Sequence, residues 1–362
     1  MNISRSIYKR VIALIVCSTF LLFSCVREPI SPEESNASSE SGIYVVCEGL
    51  WHYDNSVLSK IDPLSGSVTL DYFKQVNNYK LGDLANSATA HNGYIYIVLT
   101  TPAIIEKIDY KTGRSVARLK LPAESDPRHI CIVNDTSAFV TSLMNNCVYS
   151  FNPDKMTQNE AVIKVGPAPE QICSDGQYLY VANSGFGDYL ANKPGAGTIS
   201  VIDMKNMREV SKIACGPNTV EVKYNPLTKR IYATYKHLPS MKDSLGGIVE
   251  YSTPAMKEQR RFRVSANALT ISSDGYDLYY NTDDGVNKID LMDNAFAPKL
   301  IIANPNKAEK WYSIAQIKTK LYIGNAKNYQ MNGEVLEYQL PNIKFPKAKY
   351  TVGINPNTII GG

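Results

Sequence analysis

Short runs in which apolar and aromatic residues alternate with small or polar ones recur along nearly the whole chain, each followed by a second run that often closes on Ile-Asp. The first runs read Ile43-Tyr44-Val45-Val46, Ile95-Tyr96-Ile97-Val98, Ala138-Phe139-Val140-Thr141, Leu179-Tyr180-Val181-Ala182, Ile231-Tyr232-Ala233-Thr234, Leu278-Tyr279-Tyr280-Asn281 and Leu321-Tyr322-Ile323-Gly324. The aromatic positions 44, 96, 139, 180, 232, 279 and 322 lie 52, 43, 41, 52, 47 and 43 residues apart. A period of this length belongs to four-stranded propeller blades rather than to helical repeats. The pattern therefore predicts an all-β chain folded as a seven-bladed β-propeller.

One copy shows how the pattern builds a blade. Pro169 to Cys173 reads as a first strand, Asp175-Gly176 as a tight turn, and Tyr178 to Asn183 as a second strand. Asn92-Gly93 and Asp274-Gly275 occupy the matching turns elsewhere. Such pairs tolerate the positive φ that a two-residue hairpin turn requires. Thr198 to Asp203 and Val210 to Ile213 complete four strands, A to D. No useful helix-period stretch interrupts the copies, which argues against a βαβ architecture.

The first copy starts at its strand B, and the chain ends with an unpaired strand A, Pro356 to Ile360. The two fragments complement each other. Residues 353 to 360 are expected to supply the innermost strand of the blade begun by residues 43 to 70, closing the ring and removing an exposed sheet edge. The copies are not separated by any Gly/Ser/Pro-rich linker, so residues 42–362 count as one domain.

Ahead of that domain, Arg5, Lys9 and Arg10 precede an apolar run from Val11 to Phe23, too short to span a bilayer and typical of a secretory leader. Leu22-Phe23-Ser24-Cys25 resembles the lipobox of bacterial lipoproteins, in which the cysteine is lipidated and becomes the mature N-terminus. The alternative is a plain signal peptide with an incidental cysteine. On the lipoprotein reading, residues 1–24 are the signal peptide and residues 25–41, rich in Ser, Glu and Pro, a lipid-anchored flexible tether. The formal charge of +4 falls to +1 when the three basic residues of the leader are removed. With no basic run, nucleic-acid binding has no support. Cys47, Cys131, Cys147, Cys173 and Cys215 are odd in number and contain no CxxC pair, which removes zinc and redox-motif readings. They are expected to be buried thiols, Cys131 and Cys173 at equivalent strand A positions of the inner core.

The A–B and C–D turns are short, whereas several B–C loops are long: 48–55, 184–197, 235–246 and 326–332. In a propeller the B–C loops share a face with the D–A corners, so that face is the candidate for function. Its loops carry Trp51, His52, Tyr53, Phe186, Tyr189, Tyr235, His237 and Tyr329. Any one of these rings could simply pack a loop onto the rim, but as a set they suit a binding surface. The D–A corners supply one polar residue per blade: Asn86, Arg128, Glu170, Asn218, Asn267, Tyr312 and Asn357. Since strand A is innermost, these seven would ring the channel mouth and could clamp a polar, amide-bearing ligand; equally, such residues often bond the neighbouring blade. The candidate ligand-binding set is accordingly Trp51, Tyr53, Asn86, Arg128, Glu170, Phe186, Tyr189, Asn218, Tyr235, Asn267, Tyr312 and Asn357.

Catalytic signals are weak. His52, His91, His129 and His237 fall in no Gly-x-Ser-x-Gly elbow or His-Glu-x-x-His helix. Asp283-Asp284-Gly285 does not continue into a calcium loop and reads as a solvated turn. No catalytic residue, metal or cofactor is assigned.

The fragments "YVAN" at Tyr180 to Asn183 and "ISVIDM" at Ile199 to Met204 look like the blade signature of YVTN-type bacterial seven-bladed propellers. The succession "CEGLWHYDNSVLSKIDPLSG", "LGDLANS", "PRHI", "VGPAPEQI", "YVANSG", "WYSI", "NAKNYQMNGEVLEY" and "VGINPN", covering residues 43 to 360, resembles the surface-layer-like propeller lipoproteins of Bacteroidetes. That group includes outer-membrane lipoproteins that capture cobalamin (vitamin B12) above a TonB-dependent transporter. The resemblance implies a non-enzymatic, surface-exposed outer-membrane protein that binds a corrinoid, passes it to such a transporter, and touches the membrane through its lipid anchor alone. Two other classes stay open: a propeller enzyme of lactonase or lyase type, with His129 and Glu170 as its acid–base pair, and an interaction module for another transporter or for surface glycans.

Overall fold

The computed structural model describes residues 42–293 and 297–361. The proposed signal peptide, Cys25 and the whole of the tether lie outside these residues. Twenty-eight strands, numbered β1–β28 in chain order, form seven four-stranded antiparallel sheets. The sheets are the blades of a seven-bladed propeller. Turn chemistry sets the hairpin between β4 (Asp83–His91) and β5 (Tyr94–Thr101): Asn92 and Gly93 hold φ of 47° and 78°, the conformation a tight hairpin turn demands.

Each blade is hydrophobic on both faces, and the core is divided into seven layers, one between each pair of neighbouring sheets. The repeated aromatics Tyr44, Tyr96, Phe139, Tyr180, Tyr232, Tyr279 and Tyr322 are all buried there. A tyrosine in such a layer needs a partner for its hydroxyl. The Tyr96 hydroxyl donates to the Pro153 carbonyl at 3.1 Å and the Tyr180 hydroxyl to Asp175 at 2.8 Å.

Ring closure follows the expected scheme with one shift of boundary. The last strand, β28 (Pro356–Ile360), pairs with β1 (Ile43–Cys47) in the register Tyr44↔Ile360, Val45↔Ile359 and Val46↔Thr358. Residues 353 and 354 belong instead to the end of β27 (Ala348–Ile354), the outer strand of the seventh sheet. Asn355, at φ 56°, turns the chain between the two strands. The Glu48 amide donates to the Asn355 carbonyl at 2.9 Å, so the closing corner is tied to the first B–C loop.

A helix that the strand pattern did not announce, α1 (Tyr72–Asn77), joins the first and second sheets. Six residues are too few for a 3.6 period to stand out, but the capping is conventional: Asp71 accepts from the Lys74 amide at 3.1 Å, and Asn78 closes the helix in the left-handed region. The helix delivers Phe73, fully buried, into the layer formed by Tyr44, Leu81, Ile95 and Ile108. Phe73→Ala should cost about 3–5 kcal/mol, read from urea denaturation midpoints, because a blade interface cannot collapse around the void.

The inner strands are β4, β8 (Pro127–Asn134), β12 (Pro169–Ser174), β16 (Thr219–Asn225), β20 (Ala268–Ile271), β24 (Trp311–Ile317) and β28. Several of them break register at their first turn of ladder. Ala85 pairs with Leu99 and Ser87 with Val98, leaving Asn86 unpaired between them; shifts at the same height skip Arg128, Glu170, Tyr312 and Asn357. A bulge re-aims the skipped side chain out of the pleat. Here that turn is toward the channel axis.

Candidate functional site

At the long-loop end of the channel lies a cavity of about 470 Å³, lined by Asn86, Arg128, Glu170, Asn218, Asn267, Tyr312 and Asn357 together with Phe186 from the 184–197 loop. Eight of the twelve expected residues thus meet at one opening. Asn218, at φ 47°, and Asn267 reach it from the corner immediately before their strands rather than from a bulge.

The ring is a connected network. Arg128 donates from Nε to Glu170 Oε2 at 2.9 Å and from Nη1 to Asn86 Oδ1 at 2.6 Å. Asn86 in turn bonds Thr100. Across the opening the Tyr312 hydroxyl donates to Glu48 Oε2 at 2.7 Å. Asn357 donates to the Ala85 and Asn86 carbonyls at 2.7 and 3.0 Å, and Asn267 to the Trp311 carbonyl at 3.3 Å. Arg128, Asn267, Tyr312 and Asn357 thus bond the neighbouring blade while lining the cavity. No described residue hydrogen-bonds the side chain of Asn218, and the buried Oδ1 of Asn357 has no partner.

Electrostatics follow from burial. Desolvation pushes the Glu48 carboxyl up, opposed by the Arg128 charge and the Tyr312 hydrogen bond. Burial works against the charge of the Arg128 guanidinium, but Glu170 and Glu48 more than offset it and hold the group cationic. Burial also pushes the Tyr312 phenol up, reinforced by the Glu48 charge. His129 behaves oppositely: desolvation, then the Arg128 and Lys223 charges, pull its imidazole down to about 3. Its NMR ring resonances should therefore not titrate between pH 5 and 8. By linkage, the stability His129 contributes is complete above its unfolded value near 6.5 and is lost as pH falls toward 3.

The remaining four expected residues lie elsewhere. Trp51 and Tyr53 are exposed in the 48–55 loop and Tyr189 in the 184–197 loop; none of the three lines the cavity. Trp51 stacks on His52 at 4.2 Å between ring centroids, and Tyr189 meets Phe186 edge-on at 6.3 Å. Tyr235 is not a loop residue. It ends β17 (Arg230–Tyr235) with 6 % of its surface exposed, its ring occupying the space that Gly216 and Gly247 leave by lacking a Cβ. Those two glycines are what make a packed position out of one that reads as rim.

The channel has a second layer that the strand pattern does not announce. A further chamber of about 530 Å³ continues below the mouth, sharing His129, Gln171, Glu221, Ala268, Ser313 and Asn357 with it and adding Lys223, Thr89, Cys131 and Cys173. The alternation Glu221-x-Lys223 on an innermost strand is the signal that could have found it. Cys131 and Cys173, expected in the buried core, are partly exposed on this wall, while Cys47, Cys147 and Cys215 are buried; all five are free thiols. Burial pushes the Cys131 thiol up to about 12, so it stays protonated. Among the described residues no three His, Cys, Asp or Glu side chains converge as metal ligands. Asp283 and Asp284 are engaged by Lys310 at 2.8 Å and Lys307 at 2.5 Å.

A family model described as a domain of unknown function, DUF5074, matches residues 41–314. The chain belongs to the DUF5074 family. No curated relative matches this DUF5074 protein. Among solved structures it is similar to a quinonprotein alcohol dehydrogenase-like protein of Bacteroides thetaiotaomicron, with a TM-score of 0.67 and 12 % identity over 89 % of this chain and 78 % of that one. A periplasmic gluconolactonase of Pseudomonas aeruginosa gives 0.64 and 13 % over 88 % and 98 %. A protein described as a possible 6-phosphogluconolactonase of Bacteroides uniformis gives 0.64 and 11 % over 88 % and 100 %. Likeness at such identities establishes the propeller fold of the DUF5074 protein and leaves its site to be argued from its own residues.

Proposed function

We propose that the channel mouth captures a large, amide-bearing small molecule, a corrinoid such as cobalamin in particular, without chemical change, and that the protein hands it to a TonB-dependent outer-membrane transporter. The observation that carries this reading is the ring itself: amide and phenol groups from different blades converge on one cavity whose guanidinium is already neutralised by carboxylates. Such a ring offers donors and acceptors without a net demand for charge, which suits an amide-fringed ligand better than a sugar phosphate. A cavity of about 470 Å³ takes only the fringe of a corrinoid; the disc would lie across the rim at Phe186 and Tyr189. The hydrolytic alternative draws less support, since Glu170 is engaged by Arg128 and no carboxylate orients the His129 ring.

Calorimetry of the full chain with cyanocobalamin tests the proposal. Phe186→Ala should cost about 2 kcal/mol and Asn218→Ala or Asn267→Ala about 1 or less, because an apolar anchor loses more than a rim amide. Lys111→Ala, on the short-turn face, should change nothing. Absence of heat with any corrinoid would overturn the ligand assignment. Anchoring through Cys25 is part of the same proposal: Cys25→Ala should leave the membrane fraction, and its retention there would refute lipidation.

A further inference from the structure

Charges in the channel are arranged unevenly. On one side Glu48 and Glu170 surround Arg128, two carboxylates to one guanidinium. On the other, Lys223 and Lys236 flank Glu221, two ammonium groups to one carboxylate. Glu221 spends Oε2 on the Leu269 amide at 3.1 Å, and its Oε1 stands 3.9 Å from Lys223 Nζ, too far for a hydrogen bond. Gln171 spends Oε1 on the Val222 amide at 3.1 Å and one amide N–H on the Glu221 carboxylate, which leaves its second N–H as a donor toward the chamber. No described residue hydrogen-bonds the His129 ring, whose neutral form carries one N–H. His129 and Gln171 line both chambers, and Lys223 lines the lower one.

We infer that the lower chamber is an anion site, in which His129, Gln171 and Lys223 hold a phosphate-type group below the mouth. The donors come from β8, β12 and β16, adjacent inner strands whose backbones are fixed by their ladders, so the site is built on rigid elements rather than on loops. The His129 imidazole is depressed first by burial and then by the Arg128 and Lys223 charges, which add to the cost of a further cation at that point of the channel. The anion could be free phosphate or the phosphodiester that cobalamin carries and cobinamide lacks. The site does not depend on the corrinoid reading.

Calorimetry of the full chain with potassium phosphate, cyanocobalamin and dicyanocobinamide separates the sources. If the anion is free, phosphate gives heat, and Lys223→Met weakens it about ten-fold or more while Lys223→Arg and Lys111→Ala keep it. Gln171→Glu retains the acceptor for Val222 but replaces the donor with a negative charge, and should weaken phosphate likewise. If the anion is the ligand's own, phosphate is silent, cyanocobalamin binds about ten-fold or more tighter than dicyanocobinamide, and both variants erase that preference. Phosphate binding without corrinoid binding would retire the capture reading and keep this site. The inference is overturned if phosphate is silent and the two corrinoids bind alike, or if phosphate heat or corrinoid preference survives both Lys223→Met and Gln171→Glu.

Discussion

A chain ending at Asn355 should lose cooperative folding at 37 °C. The truncation removes β28, the inner partner of β1, and leaves Tyr44, Val45 and Val46 without their ladder on that side. It also strips Ile359 and Ile360, both at least nine-tenths buried, from two different core layers. Burying two isoleucines accounts for about 3–6 kcal/mol, which is comparable with the whole stability of many domains. The open first sheet would then present an unpaired edge to other chains. Thermal melts followed by circular dichroism, with light scattering for association, measure both effects. An unchanged melting temperature would show that the ring does not need its closing strand.

Replacing Arg128 with methionine should be the most damaging single substitution at the mouth. It leaves Glu170 and Glu48 facing each other in a partly desolvated ring without their cation, a situation that costs about 3–5 kcal/mol. The pH dependence distinguishes this from a packing defect. Burial already raises the Glu48 carboxyl above its ordinary value of 4.5, so its favourable contribution is complete below that value and is lost as pH rises through the folded one. Without Arg128 the folded value rises further, and the loss deepens. Denaturation of the variant should therefore show a smaller deficit at pH 4.5 than at pH 8, whereas a void left by the missing side chain would cost the same at both. Corrinoid binding, if the mouth takes one, should weaken in parallel, because Asn86 loses the donor that orients it.

The mouth ring could be read from the sequence because its residues repeat in register with the blades. Asn86, Arg128, Glu170, Asn218, Asn267, Tyr312 and Asn357 follow the same D–A corner, and a corner's position in a periodic fold is settled by the period. The loop aromatics carry no such register. Trp51, Phe186 and Tyr235 look alike as side chains in long loops, yet the first is exposed, the second stands at the opening and the third is packed beneath Gly216 and Gly247. The same difficulty hid the lower chamber: Cys131 and Cys173 satisfy the pattern of an apolar core strand, and only the distance between inner strands of a seven-bladed ring turns that face into a channel wall.

By itself, then, the sequence determined the number of blades, the strands within each, the closure of the ring and the set of polar groups at the mouth. All of these follow from local alternation, turn chemistry and a repeating period, which short-range sterics and burial impose residue by residue. Only the tertiary structure decided which aromatics reach the opening, how Arg128 is shared among Asn86, Glu170 and Glu48, and that Lys223, His129 and Gln171 face one chamber. Those are juxtapositions of residues some forty or more positions apart on different blades, and no local preference encodes the angle at which neighbouring sheets meet.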